Sequence, residues 1–307
     1  MRLLDYIFFC RPLVLIPVWT FFLLLRPIAL PYHLWTWSAS LGLAGLTALT
    51  AGAYVLNQLY DIESDRRNRK LGFFDPPVEF STGQARRLYW FLTLGPILCA
   101  ALLEINLLAP FVIAAALGWA YSAPPIRAKD RPILGLVFNA ISFSAVIWWV
   151  IVAPQRGWAE RLDSVGLGEA LVLAAVFCAV AAVYVLTTIP DLAGDSASGK
   201  VTVAVKLGRT KSLVSSELLL GAVAVLSYRS PLAGLGAVAV VTAAIVGWAI
   251  WKNSEGAVLL AAKLPILLLT VSAGITYPWY LLFVLALIFL SRLYYRRRFG
   301  LTYPRLA

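Results

Sequence analysis

Five residues in two short stretches have the types and spacing to do chemistry. The stretch "NQLYDIESD" sets Asn57, Asp61 and Asp65 four apart, with Glu63 between the aspartates, and "TTIPDLAGDSASGK" sets Asp191 and Asp195 four apart. On a helix, residues four apart share a face, with Cβ atoms ~5–6 Å apart, so the first set lines one stripe and its like charges repel. Such a stripe makes sense if something positive lies against it. Four carboxylates and one amide are all oxygen donors, a set that suits Mg2+ or Ca2+ and does not suit zinc or copper. Mg2+ commonly takes one or two carboxylates, several waters and substrate phosphate oxygens. The chemistry these residues point to is therefore a Mg2+–diphosphate site. Solvated loop acids are the bland alternative; one DxxxD pair would favour it, and two pairs at helix ends do not.

Basic residues supply the complement. "YSAPPIRAK", Tyr121 to Lys129, offers Arg127 and Lys129 after a stiff Pro-Pro turn, and "GKVTVAVKLGRTK" offers Lys200, Lys206, Arg209 and Lys211. A diphosphate needs such cations both to bind and to depart as a leaving group. Lys129 and Lys200 are the better choices, because each follows a motif-like stretch.

The elements that must position these groups are membrane helices. Of 307 residues, 61% are hydrophobic and only 13% charged, where a soluble domain carries about 25% charged residues; the mean hydropathy is +0.83. A span needs ~20 apolar residues, and ten runs qualify: 12–30, 36–60, 86–105, 107–122, 133–153, 168–190, 211–228, 231–252, 257–274 and 277–295. The last two are separated only by "AGITYP" and are open to reading as one broken span, so nine or ten helices are expected. Asp5 and Arg11 interrupt any apolar stretch of a cleavable leader, so the first span is expected to be retained. The net charge of +11 does not imply nucleic acid, because the basic residues sit in short loops. With a cytoplasmic N-terminus, all Lys and Arg except Arg26, Arg156, Arg161 and Arg229 fall on the cytoplasmic side, Lys263 being counted there as near a span end; this asymmetry orients the chain. Both acidic motifs are then cytoplasmic, and the C-terminal "YYRRRF" favours an even number of spans. Cys10, Cys99 and Cys178 are far apart in apolar context, form no CxxC and stand beside a single histidine, His33, which argues against zinc, haem and disulfide chemistry.

The acidic pairs recur 130 positions apart, each at the end of the second helix of a four-helix unit. This reads as a weak internal repeat, with halves at about 5–130 and 131–255, C-terminal helices over 256–295, and a single integral-membrane domain over 1–307. The halves are expected to face each other across a cavity.

These stretches resemble motifs of the UbiA superfamily of membrane prenyltransferases. "NQLYDIESD" is similar to its NxxxDxxxD motif, and "DLAGDSASGKVTVAVKLG" to its second motif. "YSAPPIRAK" resembles the Tyr-Ser-x-Pro-Pro stretch that many members carry, and "RPLVLIPVW" their first-helix entry. The likeness runs over roughly 5–215, and it is the three motifs in order that are specific. It implies an all-α polytopic membrane fold, usually of nine spans, with two four-helix halves around a central cavity. It implies that Asn57, Asp61, Asp65, Asp191 and Asp195 hold two Mg2+ and the diphosphate of an allylic isoprenyl donor. Lys129, Lys200 and Arg11 would help bind that diphosphate, with Arg127 and Tyr121 beside it. Many members continue the first motif with N-x-P-x-R-P; here the chain reads "NRKLGFFDPPVEFSTG", residues 68–83. The Arg-Pro is missing, and Arg67, Arg69 or Lys70 would have to take over any role of that arginine.

The reaction implied is transfer of a prenyl group to a lipophilic acceptor, aromatic in many cases, within a bacterial or archaeal plasma membrane. Positive charge draws electron density from the diphosphate, and an apolar cavity keeps water from the developing cation. Tyr54, Tyr121, Trp119, Trp148 and Trp149 are placed to offer aromatic faces to that cation, although interfacial or lipid-facing aromatics are the commoner case. A terpene cyclase on the same scaffold is the alternative enzyme. An ion-coupled transporter is the alternative class, but its carboxylates would lie near the midplane rather than at helix ends.

Overall fold

The computed structural model describes the chain except residues 1–2, 32–33, 68–71, 156–165, 198, 229–230, 302 and 304–307. Ten helices among the described residues are long and apolar enough to cross a membrane, and no strand occurs among them. Each lies where an apolar run in the sequence predicts it. A short helix α1 (Leu3–Phe9) precedes α2 (Ile16–Ala29), α3 (Trp37–Arg67), α4 (Thr82–Leu103) and α5 (Leu108–Ser122). The next span comprises α6 (Pro132–Ile141), a π-helical segment Ser142–Val146 and α7 (Ile147–Val152), and α8 (Leu167–Thr188) follows. Two short helices, α9 (Leu192–Ala197) and α10 (Val203–Leu207), lead into α11 (Arg209–Tyr228), α12 (Ala233–Lys252), α13 (Glu255–Thr276) and α14 (Pro278–Phe299).

The helices close into a ring. α2 packs on α3 and α7, α3 on α4 and α5, and α6 on α8; the run α8–α11–α12–α13 completes the circuit where α13 meets α2. α14 packs on α13, outside that ring. The last two apolar runs are two full helices parted at Tyr277, where Pro278 opens α14 in the first-turn position that needs no backbone N–H donor. Ten spans is an even number, and the termini accordingly meet at one end of the bundle. Arg298 of α14 and Asp5 of α1 form an ion pair at 3.1 Å, and Tyr294 Oη donates to the same carboxylate at 2.8 Å. At the other end, Ser38 Oγ donates to Glu104 at 2.7 Å and Arg26 to the Leu34 carbonyl. Arg156, Arg161 and Arg229, read as marking that end, lie outside the described residues, as does His33.

Two features depart from the simple span pattern. The acidic pair of the second motif does not sit on the end of α8. That helix stops at Thr188, the chain turns through Pro190, and α9 starts beyond it. Proline has no backbone N–H to continue the ladder, which accounts for the break. The fifth span, in turn, is not a plain α-helix but carries the π segment Ser142–Val146, the kind of irregularity often found at functional sites.

Candidate active site

α3 runs 31 residues without a break and extends past the apolar part of its sequence, so Asn57, Asp61 and Asp65 form the expected stripe at its polar end. Gln58, on the neighbouring face, donates to the Phe9 carbonyl at 2.9 Å and ties α3 to the segment after α1. That tie brings Arg11, which has a left-handed backbone (φ 51), to within 4.0 Å of Asp65.

The second contribution comes from the turn after α5. Pro124 and Pro125 are joined by a cis peptide, and a 3-10 turn at Ala128–Asp130 carries Lys129 inward. Its ammonium donates to Asn57 Oδ1 and to Asp61 Oδ2, the latter at 2.8 Å. Gly135 makes this seat possible. A Cβ there would lie 3.0 Å from the Ala128 carbonyl and run into the Tyr184 hydroxyl. Burial pushes the Lys129 ammonium below the usual lysine range, and the adjacent Asp61 carboxylate works against that shift.

The third contribution is the loop after α8. The Asp195 N–H donates to the Asp191 carbonyl at 2.8 Å, and the Lys200 N–H to the Asp195 carbonyl at 3.0 Å. The loop so closed delivers Lys200 Nζ to 3.5 Å from Asp61 Oδ1. Asp195 is buried and Asp191 exposed. Two lysines from separate loops thus converge on one carboxylate of α3, and Lys200 ties the loop that carries the second acidic pair to the first motif.

Not every residue read from the sequence joins it. Arg127 is ion-paired with Asp130 at 2.9 Å, Arg209 bonds to Asn253, and Lys206 and Lys211 are exposed. The side chain of Arg67, and Arg69 and Lys70 entirely, lie outside the described residues. The altered loop is held instead by Arg66, 2.7 Å from Asp75, and by Phe73 and Phe80, which pack against Phe9.

Below the stripe lies an apolar cavity of about 120 Å³. It is bounded by Asn57 and Tyr121 at the site, and its lining continues down α3 through Ala53, Thr50 and Leu49 to Leu46. A larger cavity of about 410 Å³ lies between α2, α8, α11, α12 and α13. Tyr54, Asn139 and Phe143 line both. Of the aromatic residues singled out by sequence, Tyr54 and Tyr121 reach a cavity. Trp148 and Trp149 are in the core packing, and Trp119 is exposed. Tyr184, which lines the larger cavity and hydrogen-bonds Tyr121, is missed by sequence reading, because nothing in "AVYVLTT" distinguishes it from an ordinary span residue.

The sequence matches the model of the UbiA prenyltransferase family over residues 14–257. The chain belongs to that family. No curated protein matches it. Among solved structures, a UbiA homologue from Archaeoglobus fulgidus bound to GPP and Mg2+ aligns with a TM-score of 0.68 at 20% identity, covering 92% of this chain and 98% of its own. A UbiA homologue from Aeropyrum pernix K1 in its apo form aligns at 0.63 and 23%, covering 91% and 99%. A structure of digeranylgeranylglyceryl phosphate synthase aligns at 0.65 and 16%, covering 89% and 97%. At these identities the likeness establishes the fold. This UbiA-family chain is thus an all-α integral membrane protein, with ten helices among the described residues long and apolar enough to cross a membrane.

The donor set can be tested for a metal. Asp61 Oδ1 is buried and accepts no hydrogen bond, and the other acidic and amide groups offer oxygen only. Among the described residues no three His, Cys, Asp or Glu side chains stand together as a ready-made cage. That combination fits Mg2+, which keeps much of its shell from water and phosphate, better than it fits a fully protein-ligated ion.

Proposed function

We propose that this protein transfers a prenyl group from an allylic isoprenyl diphosphate to a lipophilic acceptor within the membrane. The observation that carries this reading is the convergence of Lys129 and Lys200 on Asp61, at 2.8 and 3.5 Å, at the mouth of an apolar cavity. Cations and oxygen donors at the mouth suit a diphosphate. The cavity below suits its prenyl chain. The relatives whose structures hold GPP or DMAPP with Mg2+ support the same donor class.

In this reading Asn57, Asp61, Asp65, Asp191 and Asp195 hold Mg2+, which supplies positive charge against the diphosphate oxygens when bound. Lys129 and Lys200 turn from Asp61 to the phosphate oxygens, and Arg11 closes from the side of Asp65. The C1–O bond of the donor breaks, diphosphate leaves with the electron pair, and the acceptor's nucleophilic atom bonds to C1. The proton displaced from the acceptor passes to the departing diphosphate. The cavity walls exclude water while C1 is electron-poor, and the faces of Tyr54 and Tyr121 line its path. In this reading the site faces the cytoplasm, which the placement of basic residues supports.

The test is diphosphate release from labelled geranyl diphosphate by protein in vesicles, with and without a lipid extract as acceptor source. Release is expected to depend on both Mg2+ and the extract, and EDTA should abolish it. A cyclic hydrocarbon formed from donor alone would assign the chain to cyclisation, and turnover indifferent to EDTA would overturn the metal site.

A further inference from the structure

Two hydroxyls stand between the cavities. Tyr121, at the end of α5, lines the smaller one, and Tyr184, near the end of α8, lines the larger one. Their hydroxyls hydrogen-bond each other, so the bond crosses the wall that Tyr54, Asn139 and Phe143 continue. It also stands beside the charged site. Tyr121 lies within electrostatic reach of Asp61, and Tyr184 within reach of Asp195. Tyr184 is held from a third side, because its hydroxyl rests against Gly135, where an added Cβ would collide with it. The Tyr54 hydroxyl in the same wall is committed elsewhere and donates to the Val14 carbonyl at 3.2 Å.

We infer that Tyr184 is a positioning residue for the transfer step: by pairing with Tyr121 it keeps the wall beside C1 of the donor dry. The inference rests on the prenyl-transfer reading. Tyrosine packs an apolar ring but carries a hydroxyl that needs a partner. Here each hydroxyl is the other's partner, so the wall draws no water to the place where C1 becomes electron-poor. Removing one hydroxyl strands the other, and an enclosed polar group without a partner recruits water to satisfy it. That water is a nucleophile beside the cation. Its oxygen bonds to C1 as diphosphate leaves with the electron pair of the C1–O bond, and the proton it sheds passes to diphosphate. The product is the free prenyl alcohol, and the acceptor stays unmodified. Removing both hydroxyls leaves nothing to recruit water. Replacing both partners of a hydrogen bond by apolar groups of the same shape costs far less than stranding one. The double change should therefore undo much of what either single change does.

Product partition tests this. Protein in vesicles is given labelled geranyl diphosphate, Mg2+ and a lipid extract in water carrying heavy oxygen. Mass spectrometry then measures geraniol bearing the heavy oxygen against geranylated lipid. The ratio does not depend on how much protein is folded, and the heavy oxygen separates capture of water at C1 from cleavage at phosphorus. Tyr184→Phe and Tyr121→Phe should each raise the ratio about tenfold, the scale of one stranded hydroxyl. The second variant breaks the same pair should the first fail to fold. The double variant should return to within about twofold of the wild type. Thr242→Val is the control, because it removes a hydroxyl of the larger cavity that donates to the Val238 carbonyl at 2.7 Å and leaves the tyrosine pair intact. It should not move the ratio. An unchanged ratio in either single variant, a double variant that forms as much geraniol as the singles, or an equal rise in Thr242→Val would overturn the inference. Absence of geranylated lipid from the wild type would instead overturn the prenyl-transfer reading on which it rests.

Discussion

Lys200 Nζ lies 3.5 Å from Asp61 Oδ1 while Lys129 Nζ holds Asp61 Oδ2 at 2.8 Å, so one carboxylate of α3 is gripped by cations from two later loops. Four-apart carboxylates on one helix imply a positive partner, and two lysines fill that place. The same lysines are the groups a diphosphate would draw away. The pairing holds the site's charges together and, on the prenyl-transfer reading, is also the reserve of cations offered to the diphosphate.

Asp61→Asn follows directly. From the repulsion between Asp61 and Asp65 alone, removing the charge would slightly stabilise the protein. The pairing reverses that sign. Asp61 and Lys129 are both about nine-tenths buried, and removing one partner of a buried pair costs roughly 3–5 kcal/mol. Thermal melting in detergent should fall accordingly. Turnover should fall by ~10²–10³-fold if the lost charge acts on the departing diphosphate. Adding Lys129→Met to Asp61→Asn should restore part of the melting temperature and none of the activity. An unchanged melting curve for the single variant would mean that the pair does not hold the site together.

Lys200 is the more exposed partner, with a side chain 18% accessible, and it sits on a loop. Lys200→Met should leave stability within about 1 kcal/mol, because partly solvated ion pairs contribute little. It should raise the KM for the isoprenyl diphosphate more than it lowers kcat, since the lysine reaches the substrate from a partly solvated side chain. Steady-state kinetics against donor concentration checks the split. An unaltered KM would remove Lys200 from the donor site.

The stripe on α3, the inward Lys129 and the ten spans are all legible in the sequence, because each rests on local spacing: residues four apart, a Pro-Pro turn, an apolar run. What is not legible joins distant residues. Asp5 and Arg298 are 293 positions apart, and no periodicity links them. Gly135 reads as any glycine in a span, yet its missing Cβ is what lets the Lys129 turn seat. Lys263 reads as a basic residue near a loop, although the helix that carries it starts two turns earlier. The position of the second acidic pair was half legible. Pro190 signals the end of α8, but not that the chain turns and restarts as α9.

The Asp5 network gives an asymmetric prediction. Its carboxylate is fully buried and accepts from Tyr294 Oη and from Arg298 Nε and Nη2, whereas the Arg298 side chain is 23% accessible. Arg298→Met strips a cation from a buried anion, a change worth roughly 3–5 kcal/mol. Asp5→Asn leaves an arginine that can turn to water, and a side-chain oxygen still placed for Tyr294, so it should cost less. Melting temperatures should rank wild type, then Asp5→Asn, then Arg298→Met. The reverse order would mean that the tie between the two ends of the chain is packing by Phe8 and Tyr294, which stack at 3.9 Å, and not charge.

Donor length is set by the smaller cavity if the prenyl chain lies there. From Asn57 to Leu46 the lining of α3 spans eleven residues, or about 16 Å at ~1.5 Å per residue. Ala53 is partway down and faces Gly118, where even one added carbon would come within 3.0 Å of the Ala53 side chain. Ala53→Leu therefore fills the passage. It should lower turnover of geranylgeranyl diphosphate strongly, that of geranyl diphosphate less, and that of dimethylallyl diphosphate least. Leu46 is at the far end and only 3% accessible. Leu46→Ala lengthens the cavity, at a stability loss of roughly 2–5 kcal/mol for a buried leucine, and should shift preference toward the longest donor. Competition among the three donors in one reaction, followed by mass spectrometry of the products, reads the preference independently of any loss of folded protein. The two variants should move it in opposite directions. Identical product ratios in the wild type and both variants would mean that the donor chain does not lie in the smaller cavity.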